Sequence, residues 1–121
     1  MMKLNGLKVF IAEDEAAIAM QLMDLVEDAQ GDILGPFTTV SKCMTGLNGD
    51  RPDVAVLDVR LADGQVFPVA DRLVEMNVPI VFHSGHANPG EIHDKYPLAG
   101  FLKKPLSYKT LTQTIEAAIN G

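Results

Sequence analysis

The sequence predicts an α/β domain, a mainly parallel sheet with helices on both faces, and three observations carry that prediction. First, Val54, Ala55, Val56 and Leu57 run without interruption into Asp58 between Pro52 and Gly64, as a central strand buried on both faces does. Second, four other short β-branched or aromatic runs, starting near Leu7, Ile33, Pro79 and Gly100, alternate with stretches of helical apolar spacing. Third, 121 residues leave only short connections, so successive strands are joined by right-handed crossover helices.

Residues 7–12 form the first expected strand, which ends in Glu13, Asp14 and Glu15. From Ala16 the spacing turns helical, with Ile18, Leu22, Leu25, Val26 and Ala29 on one stripe and Gly31 as the stop. Residues 33–37 make a weak strand whose Pro36 suits a sheet edge, where a missing N–H costs no ladder bond. Thr39 then caps a helix that turns Val40, Cys43, Met44 and Leu47 inward. After the Asp58 strand, residues 67–76 read as a third helix, with Pro68 in its first turn and Phe67, Ala70, Leu73 and Val74 inward. Residues 79–83 form the fourth strand and deliver Ser84. Residues 87–98 carry Pro89, Gly90 and Pro97, which leave room for only a turn or two of helix. Residues 100–103 form the fifth strand, ending at Lys104 and Pro105, and Ser107 opens a last helix with Leu111, Ile115, Ala118 and Ile119 on one face.

The length is that of one domain, residues 1–121. Sixteen acidic against ten basic residues give a net charge of -6, which argues against a broad basic face and a direct nucleic-acid partner. One cysteine, no secretion signal and no apolar run of bilayer-crossing length lead to the expectation of a soluble cytoplasmic protein without a membrane partner. Cys43 reads as a small core residue.

Strand ends in such a sheet converge on a ligand crevice, and here they carry Glu13 with Asp14, Asp58, Ser84 and Lys104. Clustered carboxylates without thiolate suit a hard ion such as Mg2+. Lysine supplies a point charge for phosphoryl oxygens, serine a hydroxyl donor, and aspartate a nucleophile that forms an acyl phosphate. His83, His86 and His93 fit neither a helical pair nor the spacing of a closed zinc site.

With these residues in this order, the chain resembles the receiver domains of two-component response regulators from about Leu7 to Ile119. The resemblance implies a flavodoxin-like sheet of order 2-1-3-4-5 with five helices, the fourth short or irregular here. It implies Asp58 as the phosphoacceptor. Asp14 would ligate Mg2+ directly, Glu13 through water, Asp58 by its carboxylate and Arg60 by its backbone carbonyl. Ser84 resembles the hydroxyl that follows the phosphoryl group, Lys104 the phosphate-pairing lysine before a cis Pro105, and Phe101 the switch aromatic. Phe101 stands where tyrosine is frequent. The stretch from Val81 to His86 resembles small single-domain α-proteobacterial receivers with Ser/Thr-Gly after the fourth strand. The implied partner is a sensor histidine kinase or histidine phosphotransfer protein, and the only chemistry implied is the domain's own phosphorylation and dephosphorylation.

Two other classes compete. A Mg2+-dependent aspartyl-phosphate phosphohydrolase of related architecture would usually carry a general-acid Asp two residues past the nucleophile, where this chain has Arg60. A flavodoxin-type electron carrier would need a phosphate-binding loop after the first strand, where this chain has three carboxylates.

Overall fold

The computed structural model describes residues 4–85, 87–104 and 106–120. The elements are β1 (Lys8–Ala12), α1 (Ala16–Asp28), β2 (Asp32–Phe37), α2 (Val40–Gly46), β3 (Val54–Asp58), β4 (Arg60–Leu61), β5 (Gly64–Gln65), α3 (Phe67–Glu75), β6 (Ile80–Ser84), α4 (Pro89–Lys95), β7 (Gly100–Lys103) and α5 (Tyr108–Asn120). The strands β4 and β5 form a small antiparallel hairpin just after Asp58. The other five make one parallel sheet of order β2-β1-β3-β6-β7. With the hairpin set aside, this is the expected 2-1-3-4-5 order of a flavodoxin-like doubly wound sheet.

Alternation along the strands sorts the core into two layers, because successive side chains leave a strand on opposite faces. Phe10, Ala55, Leu57 and Phe82 pack with Cys43, Val69, Leu73 and Tyr96 of the α2, α3 and α4 side. Val9, Ile11, Val54, Val56, Val81 and Leu102 pack with Leu22, Val26, Leu111 and Ile115 of α1 and α5. All five residues of β3 are buried, as its unbroken apolar pattern requires. Burial pushes the Cys43 thiol up to about 12, so this cysteine is an inert core residue.

Local chemistry sets the helix ends. Thr39 Oγ1 accepts the Lys42 amide at 3.0 Å, as a helix cap should. Asp63, in the hairpin turn, adds a second cap by accepting the Val40 amide at 2.6 Å and the Ser41 amide at 3.2 Å. Those bonds hold its carboxyl below the ordinary range and tie the segment after Asp58 to α2. The helix α4 is two turns long, capped by Asn88 and closed by Tyr96, whose hydroxyl donates to Asp71 at 2.6 Å.

Two expectations are corrected. Val74 points to solvent, 54% exposed, and Val69 takes the inward place, because α3 is rotated to lay Val69, Ala70 and Leu73 on the sheet. The left-handed residue after α1 is Gln30 (φ 64) and not Gly31. At Gly31 a Cβ would come within 2.9 Å of Val26 Cγ1, so glycine is required there for close approach. The expected cis bond before Pro105 lies outside the described residues; a cis peptide is present at Gly35–Pro36 in the edge strand β2. Among the described residues no helix is long and apolar enough to cross a membrane.

Candidate functional site

The same alternation assembles the site. Glu13 follows Val9 and Ile11 in parity, Asp58 follows Val54 and Val56, His83 follows Val81, and Lys104 follows Leu102, so all four leave the sheet edge on the α1/α5 side. Register completes the arrangement, because β3 and β6 pair Asp58 directly with His83. Lys103 has the opposite parity and is exposed, as expected.

At the centre is the Lys104 ammonium. Its Nζ lies 3.3 Å from Asp58 Oδ2, 3.3 Å from Glu13 Oε1 and 3.9 Å from Glu15 Oε1. Glu13 is fully buried and Asp58 nearly so. The Glu15 amide donates to Glu13 Oε2 at 3.1 Å, and the Arg60 amide approaches Asp58 Oδ1 at 3.4 Å. Ser84 stands at the end of β6, where its Oγ accepts the Ala87 amide at 2.9 Å and its carbonyl accepts the Lys104 amide at 3.3 Å. The turn into α4 and the segment carrying Lys104 are thus both anchored on Ser84. Asp14 is exposed at the rim of the strand end. Phe101 is half-buried, paired in register with Phe82 and packed on the α3/α4 core.

The residue that sequence reasoning missed is His83. Its ring is fully buried, with Nδ1 3.7 Å from Glu13 Oε1. Among the described residues, Glu13, Asp58 and His83 are the group whose ligand atoms lie close enough to share an ion, all within 4.8 Å of one another. The signal was a histidine placed between Phe82 and Ser84 in a strand that was otherwise apolar. His86 lies outside the described residues.

Residues 9–116 match the family described as response regulator receiver domain. The chain belongs to the response regulator receiver family. It is 29% identical over 120 residues to the sensory transduction protein LytT of Bacillus cereus, covering 91% of this chain and 46% of that protein. Among solved structures, a response regulator receiver protein from Sinorhizobium medicae superposes with a TM-score of 0.86 at 25% identity, covering 96% of both chains. SdrG from Sphingomonas melonis superposes with a TM-score of 0.81 at 28% identity, covering 98% of this chain and 99% of that one. This receiver spans about half or less of the length of the curated relatives it matches.

The receiver's strand-end electrostatics are set by burial. Desolvation, with help from the neighbouring Asp58, raises the Glu13 carboxyl from 4.5 to about 7. Desolvation also lowers the His83 imidazole from 6.5 to about 4, although Asp58 opposes this. Burial works against the Lys104 ammonium too, but Asp58 and Glu13 outweigh it and raise its pKa.

These shifts carry a pH prediction. Because native Glu13 binds its proton more firmly than the unfolded chain, its contribution is present below about 4.5 and lost as pH rises to about 7. Native His83 refuses a proton that the unfolded chain accepts, so its effect runs the other way, with stability falling as pH drops from 6.5 towards 4. Each shift corresponds to roughly 3–4 kcal/mol at most, and in the window from 4.5 to 6.5 the two slopes oppose each other. Without divalent ions, urea midpoints should therefore be nearly flat across that window in the parent protein. They should fall with acid in Glu13→Gln and fall with rising pH in His83→Leu. Three parallel profiles would show that neither group is shifted.

Proposed function

We propose that this receiver accepts one phosphoryl group on Asp58 from the phosphohistidine of a sensor kinase or histidine phosphotransfer protein, and that the resulting acyl phosphate switches a protein-binding face. The observation that carries the reading is the Lys104 ammonium bridging Asp58 Oδ2 and Glu13 Oε1 at 3.3 Å each, at the carboxyl edge of a parallel sheet. An Asp58 oxygen attacks phosphorus, the P–N bond to the donor imidazole breaks, and a P–O bond forms. Lys104 then moves its charge from the free carboxylate to the phosphoryl oxygens. Ser84 donates its hydroxyl to one of them, and the half-buried Phe101 repacks in response.

Glu13, Asp14, Asp58 and the Arg60 carbonyl are the groups that would hold Mg2+. Clustered carboxylates, two of them buried and sharing a single ammonium, fit a hard dication. When bound, the ion neutralises charge on the transferring phosphoryl group. Incubation with acetyl phosphate and Mg2+ should add the mass of one phosphoryl group in a base-labile form, and no adduct would overturn the reading.

Two further results are expected. Like charges at Glu13 and Asp58 are relieved by an ion that binds only the native state, so the thermal midpoint should rise with Mg2+; at a hundredfold excess over Kd the gain is about 2.7 kcal/mol. An equal rise in Asp14→Ala would remove Asp14 from the ligand set. Secondly, Ser84→Ala should still accept phosphate yet lose most of the hydrogen-exchange change across residues 84–102. The reason is that a ligand biases two states only through contacts that differ between them. Equal exchange changes in both proteins would show that the signal leaves by another route.

A further inference from the structure

Within the described residues, three buried side-chain atoms accept or donate no hydrogen bond: Glu13 Oε1 and both ring nitrogens of His83. Buried polar atoms are nearly always paired; Glu13 Oε1 at least has the Lys104 ammonium at 3.3 Å, but the buried imidazole facing it has nothing on either nitrogen, which calls for a missing partner. His83 Nδ1 is 3.7 Å from Glu13 Oε1, too long for a hydrogen bond and near the separation of two ligands on one ion. Glu13, Asp58 and His83 each offer an atom within 4.8 Å of the others. Small side-chain movements bring three such donors to the roughly 2.0–2.2 Å of a metal–ligand bond. Access is from the Asp58 rim, where the Lys104 side chain is 18% exposed and its ammonium now balances the two carboxylates.

We propose that Glu13, Asp58 and His83 form a mixed oxygen–nitrogen site for a divalent first-row transition cation of the zinc or manganese class. This rests on the reading of Glu13 and Asp58 as the carboxylates that hold a dication. It differs in ligand chemistry, because imidazole suits zinc and manganese, whereas Mg2+ takes oxygen ligands and keeps its waters. Since the two carboxylates belong to both ligand sets, the two ions exclude each other. The transition cation sits deeper, towards the α1/α5 layer, and displaces the Lys104 ammonium.

The test uses the whole chain in the His86→Ala, His93→Ala background, which leaves His83 as the sole histidine of the three. Mn2+ is bound and its electron spin echo is examined for nitrogen modulation, and Zn2+ and Mg2+ affinities are measured by calorimetry with and without His83→Leu. The expected result is imidazole modulation that disappears in His83→Leu, with Zn2+ affinity lowered at least about tenfold and Mg2+ affinity little changed. Zinc also binds carboxylates alone, so the ratio of parent to variant is the discriminating quantity. Cation binding without imidazole modulation, or equal Zn2+ affinity in both proteins, would overturn the inference, leave the carboxylate reading standing and assign His83 a bridging water only. No dication binding by either protein would overturn both. If His83→Leu does not fold, presence or absence of imidazole modulation in the sole-histidine protein decides.

Discussion

Replacing Asp58 by asparagine is expected to abolish covalent phosphoryl capture. The amide keeps the shape of the buried side chain but removes the anionic oxygen that Lys104 Nζ meets at 3.3 Å, and with it the nucleophile. Replacing Lys104 by methionine tests the other half of the pair. A preorganised charge aimed at developing phosphoryl charge contributes on the order of 10²–10³ in rate, so Lys104→Met should slow capture by about that factor without abolishing it. Intact mass against time with acetyl phosphate reads both variants. An adduct on Asp58→Asn at the parental rate would remove Asp58 from the acceptor role, and unchanged kinetics in Lys104→Met would make its ion pairs structural only. Asp58→Asn should keep the fold, because it relieves the like-charge pair of Glu13 and Asp58, whereas Lys104→Met leaves those carboxylates without their cation, so its fold is checked by circular dichroism in the presence of Mg2+.

The largest expected loss of stability is at Phe82→Ala. Phe82 is fully buried in the interior strand β6, with ring centroids 5.2 Å from Tyr96 and 6.4 Å from Phe67, so it joins the sheet to both α3 and α4. Truncating such a ring removes its transfer free energy and leaves a cavity, at a cost of about 3–5 kcal/mol. Total stabilities of small domains are about 5–15 kcal/mol, so about a fifth or more is at stake. Phe82→Leu should retain much of this and cost under about 1.5 kcal/mol. Urea unfolding at constant slope measures both. A loss below about 1 kcal/mol in the alanine variant would mean that α3 and α4 close over the cavity. Because Ser84 is two residues further along the same strand, the alanine variant should also blunt the exchange response of residues 84–102.

Much of this protein was legible in the sequence because the signals are local. Apolar and β-branched runs named the five long strands, helical spacing placed four of the five helices, the breakers Pro89, Gly90 and Pro97 limited the other to a turn or two, and the strand ends pointed to Glu13, Asp58, Ser84 and Lys104. Thr39, Ser107 and Pro68 act where short-range capping rules put them, with Ser107 Oγ accepting the Thr110 amide at 3.2 Å. Parity along a strand also turned Lys104 and not Lys103 towards the acidic cluster. What tertiary structure alone decided depends on register and on rotation about helix axes, which no local pattern encodes. The pairing of Asp58 with His83 across β3 and β6 makes this histidine a neighbour of two carboxylates. Where β1 ends, Glu13 lies buried 3.3 Å from the Lys104 ammonium, while the adjacent Asp14 stays at the exposed rim. Rotation of α3 leaves Val74 in solvent, and Asp63 caps a helix more than twenty residues earlier in the chain, because folding brings the hairpin turn beside α2.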